Sequence, residues 1–459
     1  MERTDDASIS SMKSLQEENA GTGSLADLDT HKISRRSFIR KGIQAGIGAT
    51  ALGPVLSSCG GGSNGPVSIQ FAAGVDTTGE QTAEINKFNR MYAGKIKVDY
   101  LQLPPVATDQ YNKFITTFQF QSPTPDVVQI DVTWPIQFAI PGWLAPLDQY
   151  IGTKAYLSQF WPSARTIAQI GGKLYGIQRF MDIGMLYYRT DLVQKYGRKV
   201  PQTRDEMQAM AQEIVAAESR NGVIYGYLMA GKKIEALVDE WLEFIWGAGN
   251  LIGVPGNLVV NGPIQLAALQ YMYDLIYTLK LAPPGTDTYA PNDILAIFND
   301  GQAPFMRNWS YAYAIANDPS RSKVQGKVGI APVLATSGHT GHGCTGGWVL
   351  GINAFSQHKD EAWTFINYML SKETQTSLSL NAGLISSRPD VVTDPVVQAK
   401  RPYFTQLSTI LLDGFNRPQL KQYNQFTTEL QAAINGALGK QSSPAQALNS
   451  IQAQVGSLT

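Results

Sequence analysis

Beyond position 66 the apolar positions follow two alternating rhythms, period two over short runs and helical spacing over longer ones. Residues 68–72 read as a strand, 80–91 as an amphipathic helix opened by Thr77 or Thr78, and 95–101 as a strand with Ile96, Val98 and Tyr100 on one side. Residues 108–120 have helical spacing. The short apolar run 127–130, bounded by Asp126 and Asp131, suits a buried parallel strand whose end delivers Asp131 to a crevice. A second block repeats the pattern: a strand at 185–188, a helix after the capping box Thr203 to Glu206, and a strand at 225–229. Longer helices are predicted at 234–246 and 265–279, short strands at 303–306, 327–330 and 347–353, and a surface-packed helix from Ala445. Alternating strands and helices of this kind build two α/β lobes, and ligands of such proteins sit at the interface between lobes.

The first 65 residues carry a different pattern and stay out of the fold. Residues 1–30 are polar and lack apolar periodicity. Arg35 and Arg36, within Ser34-Arg35-Arg36-Ser37-Phe38-Ile39-Arg40-Lys41, resemble a twin-arginine export motif. The uncharged run 42–55 is shorter than the roughly 20 apolar residues of a membrane span and reads as a signal core. It leads into Leu56-Ser57-Ser58-Cys59-Gly60, similar to a bacterial lipobox, in which Cys59 receives the lipid. Residues 1–58 are therefore expected to be leader and signal, and 59–65 the lipidated cysteine with a Gly-rich tether.

Composition adds three constraints. A chain of 459 residues exceeds one ordinary domain. Lys plus Arg and Asp plus Glu balance at 37 each, which argues against a nucleic-acid partner. Cys59 and Cys344 stand in such different settings that a mutual disulfide is not expected. His339, His342 and Cys344 form His-x-x-His-x-Cys, but with glycines around them and no fourth ligand nearby they are read as a mobile loop with a free thiol, not a metal site. Neither a metal nor a cofactor is expected, and no Gly-x-Ser-x-Gly, phosphate-binding or His-Glu-x-x-His motif signals catalysis.

Several segments carry a family likeness: 125–132 with Trp134, 142–148, 171–176, 182–189, Arg307-Asn308-Trp309-Ser310-Tyr311, 326–329 and Gly346-Gly347-Trp348. Together they resemble the extracellular solute-binding protein family 1 of ABC importers, most of all its trehalose/maltose-binding branch. The resemblance implies a bilobal periplasmic-binding-protein-like α/β fold that closes on its ligand. The chain would cross between lobes near 177–184, 332–346 and 384–389. One lobe would comprise 66–178 and 334–386, the other 179–333 and 387–459. The implied partners are a sugar, the permease's membrane subunits and, through Cys59, a membrane; the body would be a monomer.

A sugar site needs planar hydrogen-bonding groups for hydroxyls and flat rings for the C–H faces. The resemblance places Asp131 on the ligand, the alternative being a helix N-cap. Asp182 at the first crossing is a ligand or hinge carboxylate, or a structural ion pair. Trp309 and Tyr311 would form a stacking platform if their segment stays extended, and core packing otherwise. Gly347 beside Trp348 lets backbone amides and an indole reach a ligand together. Arg417 resembles the family's late arginine, with a solvated surface charge as the alternative. Glu80 sits at a strand-to-helix turn, where a first-turn acid is also plain helix chemistry. Phe180 stands where relatives often carry a tyrosine. Two other functions stay open: a glycoside-cleaving enzyme using two of Asp131, Asp182 and Glu80, and a sensory sugar-binding protein.

Overall fold

The computed structural model describes residues 65–459 apart from 153 and 254–255, so Arg35, Arg36 and Cys59 lie outside the described residues. Strand β1 (Val67–Ala73) pairs in parallel with β2 (Ile96–Gln102) and β3 (Val127–Asp131). A small hairpin of β4 (Gln169–Ile170) and β5 (Lys173–Leu174) turns at Gly171 and Gly172, both in the left-handed region that glycine adopts without penalty. The central element is β6 (Ile177–Arg189), followed by β7 (Tyr227–Leu228), β8 (Phe305–Trp309), β9 (Val328–Ala331), β10 (Thr345–Ile352) and β11 (Ile385–Ser386).

One strand serves two halves. Along 177–183, β6 pairs antiparallel with β10, which continues to β3 and the parallel β1–β2 pair, while β11 pairs with β6 at Phe180 and Met181. From Gly184 onward it pairs antiparallel with β8 and β9, and β7 extends β8 in parallel. The strand order β2-β1-β3-β10-β6-β8-β7 is therefore a mixed sheet threaded through both lobes of the expected α/β fold. Phe71, Phe88 and Phe365 pack one core, Phe114, Phe118 and Phe138 another, and Trp241, Met272 and Phe426 a third.

The helices follow their apolar spacing. The Glu80–Met91 helix has its predicted ends, but Asp76 caps it in place of Thr77 or Thr78, accepting from the amides of Gly79 (2.8 Å) and Thr82 (2.8 Å). The Thr203 to Glu206 capping box opens the Arg204–Glu218 helix as predicted. The Pro444–Val455 helix starts at the Ser443 cap and packs against Tyr423–Leu438 and Pro263–Tyr277. The strand expected at 185–188 is the far end of the much longer β6, and the one expected at 303–306 is shifted to Phe305–Trp309.

The Glu235–Trp246 helix, called the acidic helix below, is buried at every position from Ala236 to Trp246 yet carries Glu235, Asp239 and Glu243 at i, i+4 and i+8, on one face. Glu243 grips Arg307 of β8 through Nε (2.8 Å) and Nη2 (2.5 Å), and the two side chains are only 4% and 2% exposed. Gly184 makes this possible: a Cβ there would lie 2.0 Å from Glu243 Oε1 and 2.2 Å from Arg307 Nη2. Gly184→Ala should therefore force apart a buried ion pair and lower the free energy of unfolding by about 3 kcal/mol. Denaturant titration checks this, and a midpoint equal to the parent's would mean the pair yields without cost.

Candidate functional site

The buried run of β3 ends at Asp131, which turns the chain by accepting from the Thr133 amide (2.9 Å) and hydroxyl (2.8 Å). The same carboxylate receives Arg417 Nη2 at 2.9 and 3.1 Å. Arg417 also donates to Glu235 (2.9 Å) and sets its Nε 3.7 Å from Asp239, too far for a hydrogen bond. At 3% exposure, Arg417 is no solvated surface charge. Burial draws its pKa down, but Asp131, Asp239 and Glu235 outweigh that and hold it well above the usual arginine value.

Arg417 is placed by the segment before it. The Phe415 amide donates to Gly343 (2.9 Å), the Thr345 amide donates back to Phe415 (2.9 Å), and Thr345 Oγ bonds Asn416. His342 stacks on Phe415 with centroids 3.9 Å apart, its Nδ1 2.8 Å from the Asp413 carbonyl. Cys344 is a free, buried thiol 3.5 Å from Asp239, its amide held by Glu243 (2.8 Å). The segment read as a mobile loop is thus tied at His342 and Cys344 to both the 413–417 segment and the acidic helix, a set of long-range contacts that glycine content does not report.

Asp182 lies opposite Gly346 in the antiparallel pairing of β6 with β10. Its Oδ1 accepts from the amides of Ile183 and Ser310 (2.9 Å each) and from the Ser310 hydroxyl (2.6 Å); Oδ2 has no hydrogen-bond partner among the described residues. Burial raises its pKa, while the Ser310 and Ile183 donors and Arg307 pull it back. By holding Ser310, Asp182 ends β8 at Trp309, and the chain turns into the Tyr311–Ala316 helix. The extended platform expected of Trp309 and Tyr311 is therefore not formed. Trp309 is half-buried with the Arg307 guanidinium 4.3 Å from its ring centroid, whereas the Tyr311 hydroxyl bonds Asn292 (2.7 Å).

Gly346 leaves room for an indole, since a Cβ there would stand 3.0 Å from Trp309 Cζ3. Gly347 has φ 118°, and a side chain would meet the Phe180 carbonyl at 2.3 Å. Trp348, half-buried, pairs in register with both Asp131 and Phe180 and meets Trp134 edge to face at 5.8 Å. Asp131, Asp182, Trp309, Gly347, Trp348 and Arg417 thus gather along β3, β10, β6 and β8. Glu80 stands apart, buried, with its carboxylate on the Ser377 hydroxyl (2.5 Å). A cavity of about 220 Å³ borders the crossing strands, lined among others by Trp161, Met181, Thr345 and Gly346. None of the gathered residues lines it directly; it adjoins Asp131, Asp182, Gly347 and Arg417 through their chain neighbours Val132, Met181, Gly346 and Asn416.

Glu235, Asp239, Glu243 and Arg307 were missing from the sequence-derived set, although three acids four residues apart on a helix whose other residues are apolar save Glu240 are a legible signal of buried partners. Burial pushes Asp239 up to about 8, with Arg417 opposing and Glu235 adding to the rise. Between about pH 4, where an unfolded aspartate ionises, and pH 8 the folded chain keeps a proton that the unfolded chain has lost. Stability should fall as pH rises through that window. Asp239→Asn should flatten the fall, so that the stability gap between variant and parent shifts in the variant's favour by roughly 3 to 4 kcal/mol from pH 5 to pH 8 in denaturant titrations. A gap independent of pH would mean that Arg417 keeps Asp239 ionised throughout.

A family model described as bacterial extracellular solute-binding protein matches residues 76–376. A probable ABC transporter-binding protein of Deinococcus radiodurans is 31% identical over 416 residues, covering 89% of this chain and 97% of the relative. Among solved structures, maltose-bound MalE3 of T. maritima matches with TM-score 0.78 and 32% identity over 85% of this chain and 99% of its own. A ribitol complex of an ABC transporter solute-binding protein from Agrobacterium radiobacter K84 matches with TM-score 0.76 and 25% identity, covering 85% and 98%.

Proposed function

Because the chain belongs to the bacterial extracellular solute-binding protein family, we propose that it captures a sugar between its lobes, a disaccharide such as maltose or trehalose, and delivers it to the permease of an ABC importer. The observation that carries this reading is the convergence of Asp131, Asp182 and Arg417 with the indoles of Trp309 and Trp348 on the strands that join the lobes. Carboxylates and a guanidinium pair with hydroxyls, and indoles with the C–H face of a sugar ring. The maltose bound by the structural relative supports a disaccharide, and the ribitol bound by the other supports a polyol-reading site.

In this reading the lobes are 66–178 with 334–386 and 179–333 with 387–459, and Arg35, Arg36 and Cys59 direct export and lipid anchoring of a monomeric body. No helix among the described residues is long and apolar enough to cross a membrane. The role is binding without chemistry: Asp131 is engaged by Arg417 and Asp182 by Ser310, so both carboxylates act as acceptors. A sugar hydroxyl of the wrong stereochemistry would leave such a buried group unpaired, at about 1 to 3 kcal/mol each. Phe180 in place of a tyrosine removes one candidate hydroxyl contact and bears on which sugar is preferred.

Titration of the purified protein with maltose, trehalose, sucrose, glucose and glycerol 3-phosphate should give saturable heat with one disaccharide. At a hundredfold excess over Kd it should stabilise the fold by about 2.7 kcal/mol. Trp309→Ala or Asp182→Ala, in protein that still melts cooperatively, should weaken that binding at least about tenfold. Silence across the panel would withdraw the sugar reading and the residues assigned to it.

A further inference from the structure

Arg307 and Trp309 are two apart on β8 and so project to the same side, where their register partners on β6 are Leu186 and Gly184. The bare Gly184 leaves the space that the Arg307–Glu243 pair fills. Two nitrogens of the guanidinium are committed to Glu243, and the third, Nη1, is buried with no partner among the described residues. A planar group held by two parallel bonds cannot rotate, and this one lies 4.3 Å from the Trp309 centroid. At its edge the indole abuts Gly346, and its backbone carbonyl accepts from the Tyr187 hydroxyl (2.7 Å).

We propose that Arg307 is the positioning residue of the sugar-stacking indole: locked by Glu243, it covers one face of Trp309 and fixes the ring so that the opposite face is presented to the ligand. This rests on reading Trp309 as a ligand contact and assigns the cause of its orientation. A half-buried tryptophan with two free side-chain torsions would otherwise have to be ordered by the sugar at the expense of affinity. The cation also interacts favourably with the π face it covers, by an amount that corresponds to several-fold in binding when the ring must stay in place.

The test uses two variants, because Arg307→Met alone would strand Glu243 in the interior. Arg307→Lys keeps a countercharge for Glu243 but loses the planar slab. The paired exchange Arg307→Met with Glu243→Met removes both charges. Each is titrated with the sugar that binds the parent and examined by fluorine NMR after 5-fluorotryptophan labelling, with the Trp309 line identified by its loss in Trp309→Phe. The expected result is a Kd about tenfold higher in both variants and a shifted or broadened Trp309 line before any sugar is added. In a Trp309→Leu background the same exchanges should change Kd no further. Parent-like affinity with an unchanged fluorine line, or the same loss of affinity in the Trp309→Leu background, overturns the proposal. If no sugar binds the parent, the functional reading fails by itself, while the fluorine line still reports whether Arg307 orders the ring. If Trp309→Leu binds sugar as the parent does, the stacking role fails and takes this proposal with it.

Discussion

Charge buried on the acidic helix is the constraint from which the middle of the molecule follows. Glu235, Asp239 and Glu243 sit on a helix with no solvent-facing side, and such groups persist in an interior only when cations meet them. Arg307 comes from β8 and Arg417 from the segment after the Phe404–Leu412 helix, so the demand for neutralisation ties together three stretches distant in sequence. Burial, with the neighbouring acids adding to it, is why Asp239 holds its proton and why Glu240, whose Oε1 takes the Ala230 amide, is also driven upward. Arg417 then uses its remaining capacity on Asp131, at the end of the parallel strands, and so spans from one half of the fold to the other.

The same charges explain how local and non-local information divide. The helix at Glu80–Met91, the capping box at Thr203 and the buried strand ending at Asp131 were legible because each is decided by neighbours within a few residues. Strand β6 was legible only in its last turn of sequence, since Arg179, Phe180 and Asp182 interrupt any two-residue alternation. The two charged residues can lie in a strand because Gln81 and Gln129 accept from Arg179 and Ser310 donates to Asp182. The course of the chain at Tyr311 depends on one contact between residues 182 and 310, and no periodicity in the segment 305–311 encodes it.

The candidate site shows a similar division. Family likeness singled out Asp131, Asp182, Trp309 and Arg417, and the fold brings all four to the strands between the lobes. It did not single out their supports, because an acid on a buried helix or a glycine opposite an ion pair is read from partners and not from a motif. Glu80 shows how a distant partner bears on a local reading. Its position after β1 suggested a crevice, but Ser377 from a helix almost three hundred residues later claims its carboxylate.

Cys344 sits among these charges as a silent thiol, its sulfur beside Asp239 and its ionisation suppressed by burial and by that carboxylate. A thiolate, not a thiol, attacks alkylating reagents, so the native arrangement shields this sulfur chemically as well as sterically. Modification can then proceed only through molecules in which the crossing has come apart. In a chain whose other cysteine, Cys59, is replaced by serine, the rate of alkylation becomes a clock for that opening, with no label or engineered probe required.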